Sequence, residues 1–161
     1  MTGGSKRISG RRVSLPGTEL IDPFAELGVM SDFPGASWLT RYRDRVNADP
    51  ELKVIGEWLT MTFSLTFGDS RYAIAIDRGK IVDITPSPRL DVRTAFGFRA
   101  PVEVWRKFLS PDPPPLFHDF FAMLMRVPEF TLEGDSLVAM QNARALHRMM
   151  NIMRETGAPH A

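Results

Sequence analysis

The sequence predicts an α+β domain with its helices gathered on one face of a sheet, and two patterns carry that prediction. Residues 59 to 67 alternate strictly between apolar side chains (Leu59, Met61, Phe63, Leu65, Phe67) and hydroxyl side chains (Thr60, Thr62, Ser64, Thr66), the period of two that a strand gives. Elsewhere the apolar residues recur three and four apart, as in Trp38, Leu39, Tyr42 and Val46, which is the spacing of a helix buried along one stripe.

Taken in order, the first helix runs from Ser37 to near Asn47, and Asp49-Pro50 starts a further turn through Glu51 to Gly56. The strand at 59 to 67 is followed by a Gly68-Asp69-Ser70 turn and a second strand through Tyr72, Ile74 and Ile76. Asp77-Arg78-Gly79 turns the chain into a third strand, Lys80 to Thr85, which Pro86 and Pro88 break. Leu90, Val92, Thr94, Phe96 and Phe98 form one side of a fourth strand, so the sheet is a meander plus one strand. Pro101 suits the first position of a helix carrying Val102, Trp105, Phe108 and Leu109, stopped by Pro111, Pro113, Pro114 and Pro115. A second helix carries Leu116, Phe117, Phe120, Phe121 and Leu124 and ends at Pro128. Phe130-Thr131-Leu132 makes a fifth strand, and Gly134-Asp135 turns into one long helix capped by Asp135 or Ser136.

A chain of 161 residues, 43% apolar and 24% charged, suits one domain with a sizeable core. Residues 1 to 35 read as a disordered or irregular leader, 36 to 156 as the domain and 157 to 161 as a disordered tail. With no cysteine, disulfide and thiolate chemistry are excluded, and a reducing, cytoplasmic setting is expected. No long apolar run follows the basic residues at the start, so a secretory signal is not expected, and no apolar stretch is long enough to span a membrane. Residues 1 to 12 carry Lys6, Arg7, Arg11 and Arg12 and no acid, so of the net charge of +1 the rest of the chain holds 16 basic against 19 acidic residues, or −3, and is slightly acidic. A body without a basic face does not suit nucleic acid.

No catalytic motif stands out. Phosphate loops and a nucleophile elbow are missing, and the histidines, His118, His147 and His160, show no metal-ligand spacing, so no catalytic residue, metal or cofactor is expected. His118, Asp119 and Tyr72 are the polar groups that an enzyme acting on an apolar substrate would have to use. Glu133 and Asp135 flank Gly134, where a strand-to-helix turn needs a glycine and a capping acid for conformational reasons. The hydroxyl row from Thr60 to Thr66 reads as an ordinary strand surface.

Six of the nine methionines (Met123, Met125, Met140, Met149, Met150, Met153) fall in the 31 residues from 123 to 153, beside Phe130 and just after Phe117, Phe120 and Phe121. Core packing explains such a stripe, since methionine fills irregular gaps. A ligand cavity explains it too, and the apolar faces of these helices are wider than packing on a sheet requires.

Phe130-Thr131-Leu132-Glu133-Gly134-Asp135 leading into Ala139-Met140, the short hairpin from Ile74 to Ile84, and Trp105 with Leu109 after the fourth strand resemble the sterol carrier protein type 2 domain family over residues 40 to 155. The resemblance implies a five-stranded, mainly antiparallel sheet with helices covering one face and an apolar tunnel between. It implies non-covalent binding, for transfer or presentation, of a sterol, fatty acid or other acyl lipid. The tunnel wall would be Phe96, Phe98, Trp105, Leu109, Phe117, Phe120, Phe121 and Leu124, closed by Met140, Leu146, Met150 and Met153. The four-proline linker is longer than the family pattern, and the chain ends Ala158-Pro159-His160-Ala161 without a peroxisomal signal. A second reading gives the same apolar groove to a partner, either a separate enzyme or a second copy in a homodimer.

Overall fold

The computed structural model describes residues 32–157. Helix α1 (Ala36–Ala48) and the short α2 (Pro50–Ile55) lead into the hairpin strands β1 (Met61–Phe67), β2 (Ser70–Asp77) and β3 (Lys80–Pro86). Strand β4 (Phe96–Ala100) precedes α3 (Val102–Leu109) and α4 (Phe120–Arg126). Strand β5 (Thr131–Gly134) is followed by α5 (Ser136–Gln141) and α6 (Ala143–Gly157). The strands lie in the order β3-β2-β1-β4-β5. All pairs are antiparallel except β1 with β4, which run parallel with Ser64 opposite Gly97 and Phe98 opposite Leu65. This is the α+β architecture expected: a mixed sheet, mostly antiparallel, of five strands.

The alternation of β1 does what its period requires. Phe63, Leu65 and Phe67 enter a core shared with Ile74, Ile76, Phe96 and Phe98, against which Trp38, Tyr42, Trp105, Met149 and Met153 pack from the helices. Tyr42 Oη donates to the Met149 carbonyl (3.2 Å) and Trp105 Nε1 to the Thr66 carbonyl (2.9 Å), while the buried Trp38 Nε1 has no acceptor among the described residues. Ser64 and Thr66, on the opposite side of β1, are also buried, at 1% and 2% exposure, so this half of the hydroxyl row is not open strand surface, while Thr60 is exposed and Thr62 partly so.

Three element boundaries differ from expectation. The fourth strand begins at Phe96 rather than Leu90, because the chain must travel from the edge strand β3 across β2 and β1 before it can pair with β1. That crossing uses residues 87 to 95, and Leu90, expected in the strand, is fully exposed. The helix expected from Leu116 starts at Phe120. Asp119 Oδ1 accepts from the Phe121 (2.7 Å) and Ala122 (3.4 Å) backbone N–H groups, so it caps the helix there, while Leu116 has a positive φ of 78°. The long last helix is two, broken at Asn142, whose Nδ2 donates to the Val138 carbonyl (2.9 Å). Of the two candidate caps, Asp135 is the one used, accepting from the Val138 N–H (3.1 Å). Gly134 has a φ of +80°, and a Cβ there would stand 2.8 Å from the Ala95 carbonyl oxygen, so the turn does require glycine.

Most of the expected leader lies outside the described residues, but its last four, 32 to 35, belong to the folded body. Phe33 is buried edge-on against Phe67 (4.9 Å) and Trp38 (4.7 Å), and Tyr72 Oη donates to the Pro34 carbonyl (2.8 Å). Of the expected tail, Gly157 is buried at the end of α6, and 158 to 161 lie outside the described residues.

The edge strand β3 is capped at Ile81 by a side chain. Asn47 at the end of α1 donates to the Ile81 carbonyl (3.0 Å) and accepts from the Ile81 N–H (2.8 Å), occupying both edge-facing backbone groups of that residue. Asn47→Ala is expected to lower unfolding free energy by about 2 kcal/mol, since it leaves a donor and an acceptor of a buried residue unpaired. Urea unfolding checks the magnitude, and light scattering checks whether the bared edge self-associates.

Candidate functional site

An open groove of about 560 Å³ lies where α4, β5 and α5 meet. Its walls are Phe121, Leu124, Met125, Arg126, Val127, Pro128, Phe130, Thr131, Leu132, Ser136 and Met140. The geometry follows from the local sequence. Asp119 fixes where α4 begins, so Phe121, Leu124 and Met125 fall on its groove side. Strand β5 pairs antiparallel with β4, placing Leu132 opposite Phe98 at the floor. The Gly134-Asp135 turn then folds α5 back so that Met140 forms the far lip.

Of the twelve residues expected to line a cavity, Phe121, Leu124 and Met140 open on this groove. Phe120 stands one layer behind, 4.2 Å from Phe121, and Phe98 and Trp105 back the groove residue Phe130 at 6.0 and 5.1 Å. Phe96 packs further in, stacked on Phe63 at 5.4 Å. Leu109, Leu146, Met150 and Met153 are fully buried in the core, and half-buried Phe117 lies elsewhere, under Lys107 Nζ at 5.3 Å. Among these side chains the rings pack against one another and the core leucines and methionines are fully buried, and the groove opens at the surface beside them. Met125, Val127, Pro128, Phe130 and Leu132 complete the groove without having been singled out. Their signal was present, since Met125 lies four residues after Phe121 and Phe130 begins the short strand, but only the fold of α4 against β5 sets them face to face.

The polar groups on the groove wall are few: Arg126, Thr131 and Ser136. The enzyme candidates are not brought together there. Tyr72 is engaged with Pro34, and Asp119 is occupied in capping α4 while lying 3.9 Å from His147 Nδ1. The exposed His118 offers its backbone carbonyl to Arg154 Nη2 (2.7 Å). Arg154 also donates to the carbonyls of Phe108 (2.8 Å) and Phe117 (2.9 Å) and lies over the Phe108 ring at 4.4 Å. Burial lowers its pKa from the ordinary guanidinium value, against the nearby Asp119 charge, which acts to raise it. Among the described residues no group of three or more His, Asp or Glu is placed to hold a metal ion, and no helix is long and apolar enough to cross a membrane.

A conserved hypothetical protein from Thermus thermophilus, a candidate sterol carrier protein, superimposes with a TM-score of 0.59 at 14% identity, over 78% of this chain and 90% of that one. Sterol carrier protein 2 superimposes with the same TM-score of 0.59 at 16% identity, over 74% of this chain and 95% of that one. The fold is that of sterol carrier protein 2. The sequence matches no family model and no curated protein. A ubiquinone synthesis protein, UbiJ-SCP2, superimposes more loosely, with a TM-score of 0.46 at 13% identity over 86% of this chain and 99% of that one. Identities this low carry the sterol carrier protein 2 architecture, while the chemistry of the groove rests on the side chains this chain places in it.

Proposed function

We propose that the protein binds a sterol or fatty acyl lipid non-covalently in the groove between α4, β5 and α5 and holds it for transfer or presentation without reacting with it. The observation that carries this reading is the groove itself: about 560 Å³ walled by Phe121, Leu124, Met125, Val127, Phe130, Leu132 and Met140, on a fold shared with a protein named for carrying sterols. Apolar burial at roughly 25 cal/mol per Å² supplies the affinity, less the cost of ordering the ligand. The flexible thioethers of Met125 and Met140 let the lips adapt to chains of different shape. The deeper residues expected to touch ligand, such as Phe98 and Trp105, act on it through Phe130 and Phe121.

Titration of delipidated protein with a fluorescent fatty acid and a fluorescent sterol tests this. Saturable binding is expected. Because Met125 and Met140 are 81% and 43% exposed, Met125→Glu with Met140→Glu should leave the fold intact and weaken binding at least about tenfold, by setting charge at both lips. Failure of both probes to saturate, or an unchanged affinity in the double variant, would overturn the reading.

The exposure of Met125, Leu137 (65%) and Met140 also favours a second occupant, a protein surface, either a separate enzyme or another copy of the chain. Native mass spectrometry separates the two: a co-purifying lipid on a monomer supports the first reading, and a ligand-free dimer that the double variant dissolves supports the second.

A further inference from the structure

On the face of the sheet opposite the helices, a smaller hollow of about 170 Å³ is lined by Ser64, Arg71, Thr94, Phe96, Gly97, Glu133 and Gly134. We propose that it is a binding site for a phosphate-sized oxyanion, held by the Arg71 guanidinium with the hydroxyls of Ser64 and Thr94. The strands place these groups by register. Thr66 stands between Arg71 on β2 and Arg99 on β4, and Ser64 stands between Ala73 and Gly97. The residue opposite Ser64 has to be small, since a Cβ on Gly97 would lie 2.0 Å from Ser64 Oγ. The crossing segment from β3 to β4 then brings Thr94 over the hollow, where its Oγ1 accepts a long 3.5 Å hydrogen bond from Arg71 Nη2.

Two polar atoms here have no partner. Arg71 Nε is buried without an acceptor, and the hydroxyl of its cross-strand partner Thr66, a residue only 2% exposed, is unpaired as well. Buried donors are paired in nearly all native structures, and a guanidinium that also lines a hollow has room there for an acceptor. Charge favours an anion. Among the described residues Arg71 has no acidic partner, because Glu133, the carboxylate on the wall of the hollow, is held by Arg99 Nε at 2.6 Å. The guanidinium edge is the donor fork that phosphate and carboxylate oxygens fit. A volume of 170 Å³ accepts such a group and not a lipid chain, which sets this site apart from the groove.

The test follows the Arg71 Nε–H resonance of the ¹⁵N-labelled full chain during titration with inorganic phosphate against chloride at matched ionic strength. A saturable displacement in phosphate alone is expected, with affinity reduced at least about tenfold in Arg71→Gln, read from the backbone amides of Thr66 and Gly97, and reduced less in Thr94→Val, which keeps the charge. Glycerol 3-phosphate and vesicles containing phosphatidic acid then separate a free phosphate compound from a lipid headgroup, since a headgroup source requires the vesicles to give the same displacement. Identical spectra in phosphate and chloride would mean that water fills the hollow. That outcome, or an undiminished phosphate response in Arg71→Gln, overturns the proposal.

Discussion

Phe98→Ala is expected to lower unfolding free energy by about 4 kcal/mol, the loss that follows when a fully buried aromatic ring is removed and its neighbours cannot close the gap. Phe98 has 0% exposure and stands among four rings, with centroids of Phe120 at 5.6 Å, Phe96 at 5.7 Å, Phe130 at 6.0 Å and Phe63 at 6.4 Å. Phe63 and Phe96 are on strands and cannot move inward without distorting the ladder, so a cavity should persist. The experiment also distinguishes two pictures of the interior. If Phe98 faced an empty tunnel, truncating it would widen a space that already exists and cost little. Packed as it is, it should cost several times more than Leu124→Ala, because Leu124 is only half-buried at the groove. Urea unfolding of the two variants measures the ratio, and comparable small losses in both would show open space behind Phe98.

The same residues show how far the sequence could be read. Alternation in β1 and the spacing in α3 are local signals that the tertiary structure preserves, so strand and helix agree with expectation there. The Met and Phe stripe was legible as apolar but not as core or cavity, because periodicity says which side of a helix is buried and not what buries it. Met150 and Met153 belong to the same methionine-rich stretch as Met140, yet two are sealed and one forms a lip. What separates them is the break at Asn142, a side-chain-to-backbone bond inside an otherwise continuous helical pattern. Residues 90 to 94 misled for the converse reason. They alternate like a strand, but the crossing that their topology demands leaves them nothing to pair with. Phe33 carried no local signal, and its place against Phe67 comes entirely from the tertiary fold.

A contact that governs acid stability joins the start of α2 to α6. Asp49 caps α2 by accepting from the Leu52 N–H (2.9 Å), and its carboxylate is gripped at two points by Arg148, through Nη2 (2.5 Å) and Nε (3.1 Å). Glu51 and Glu155 add weaker attraction to the same guanidinium, each at 3.6 Å. The Asp49 side chain is only 7% exposed, so Arg148→Ala would leave a little-exposed carboxylate with backbone donors alone, and a loss of about 3 kcal/mol at neutral pH is expected. The pH dependence makes the assignment specific. The hydrogen bonds from Arg148 hold the Asp49 carboxyl below its ordinary range, overcoming the burial that acts to raise it. A folded-state pKa below the unfolded value means that the unfolded chain binds more protons between the two. The stabilisation is therefore complete above about pH 4 to 5, near and above the unfolded pKa, and is lost as pH falls through the folded value. Without Arg148 only the backbone donors oppose the burial, so Asp49 takes up its proton at higher pH than in the parent, and protonation relieves the buried charge. The gap between parent and variant should accordingly be widest at neutral pH and shrink on acidification, measured by urea unfolding across that range. A gap that stays constant would mean that Arg148 contributes through packing alone.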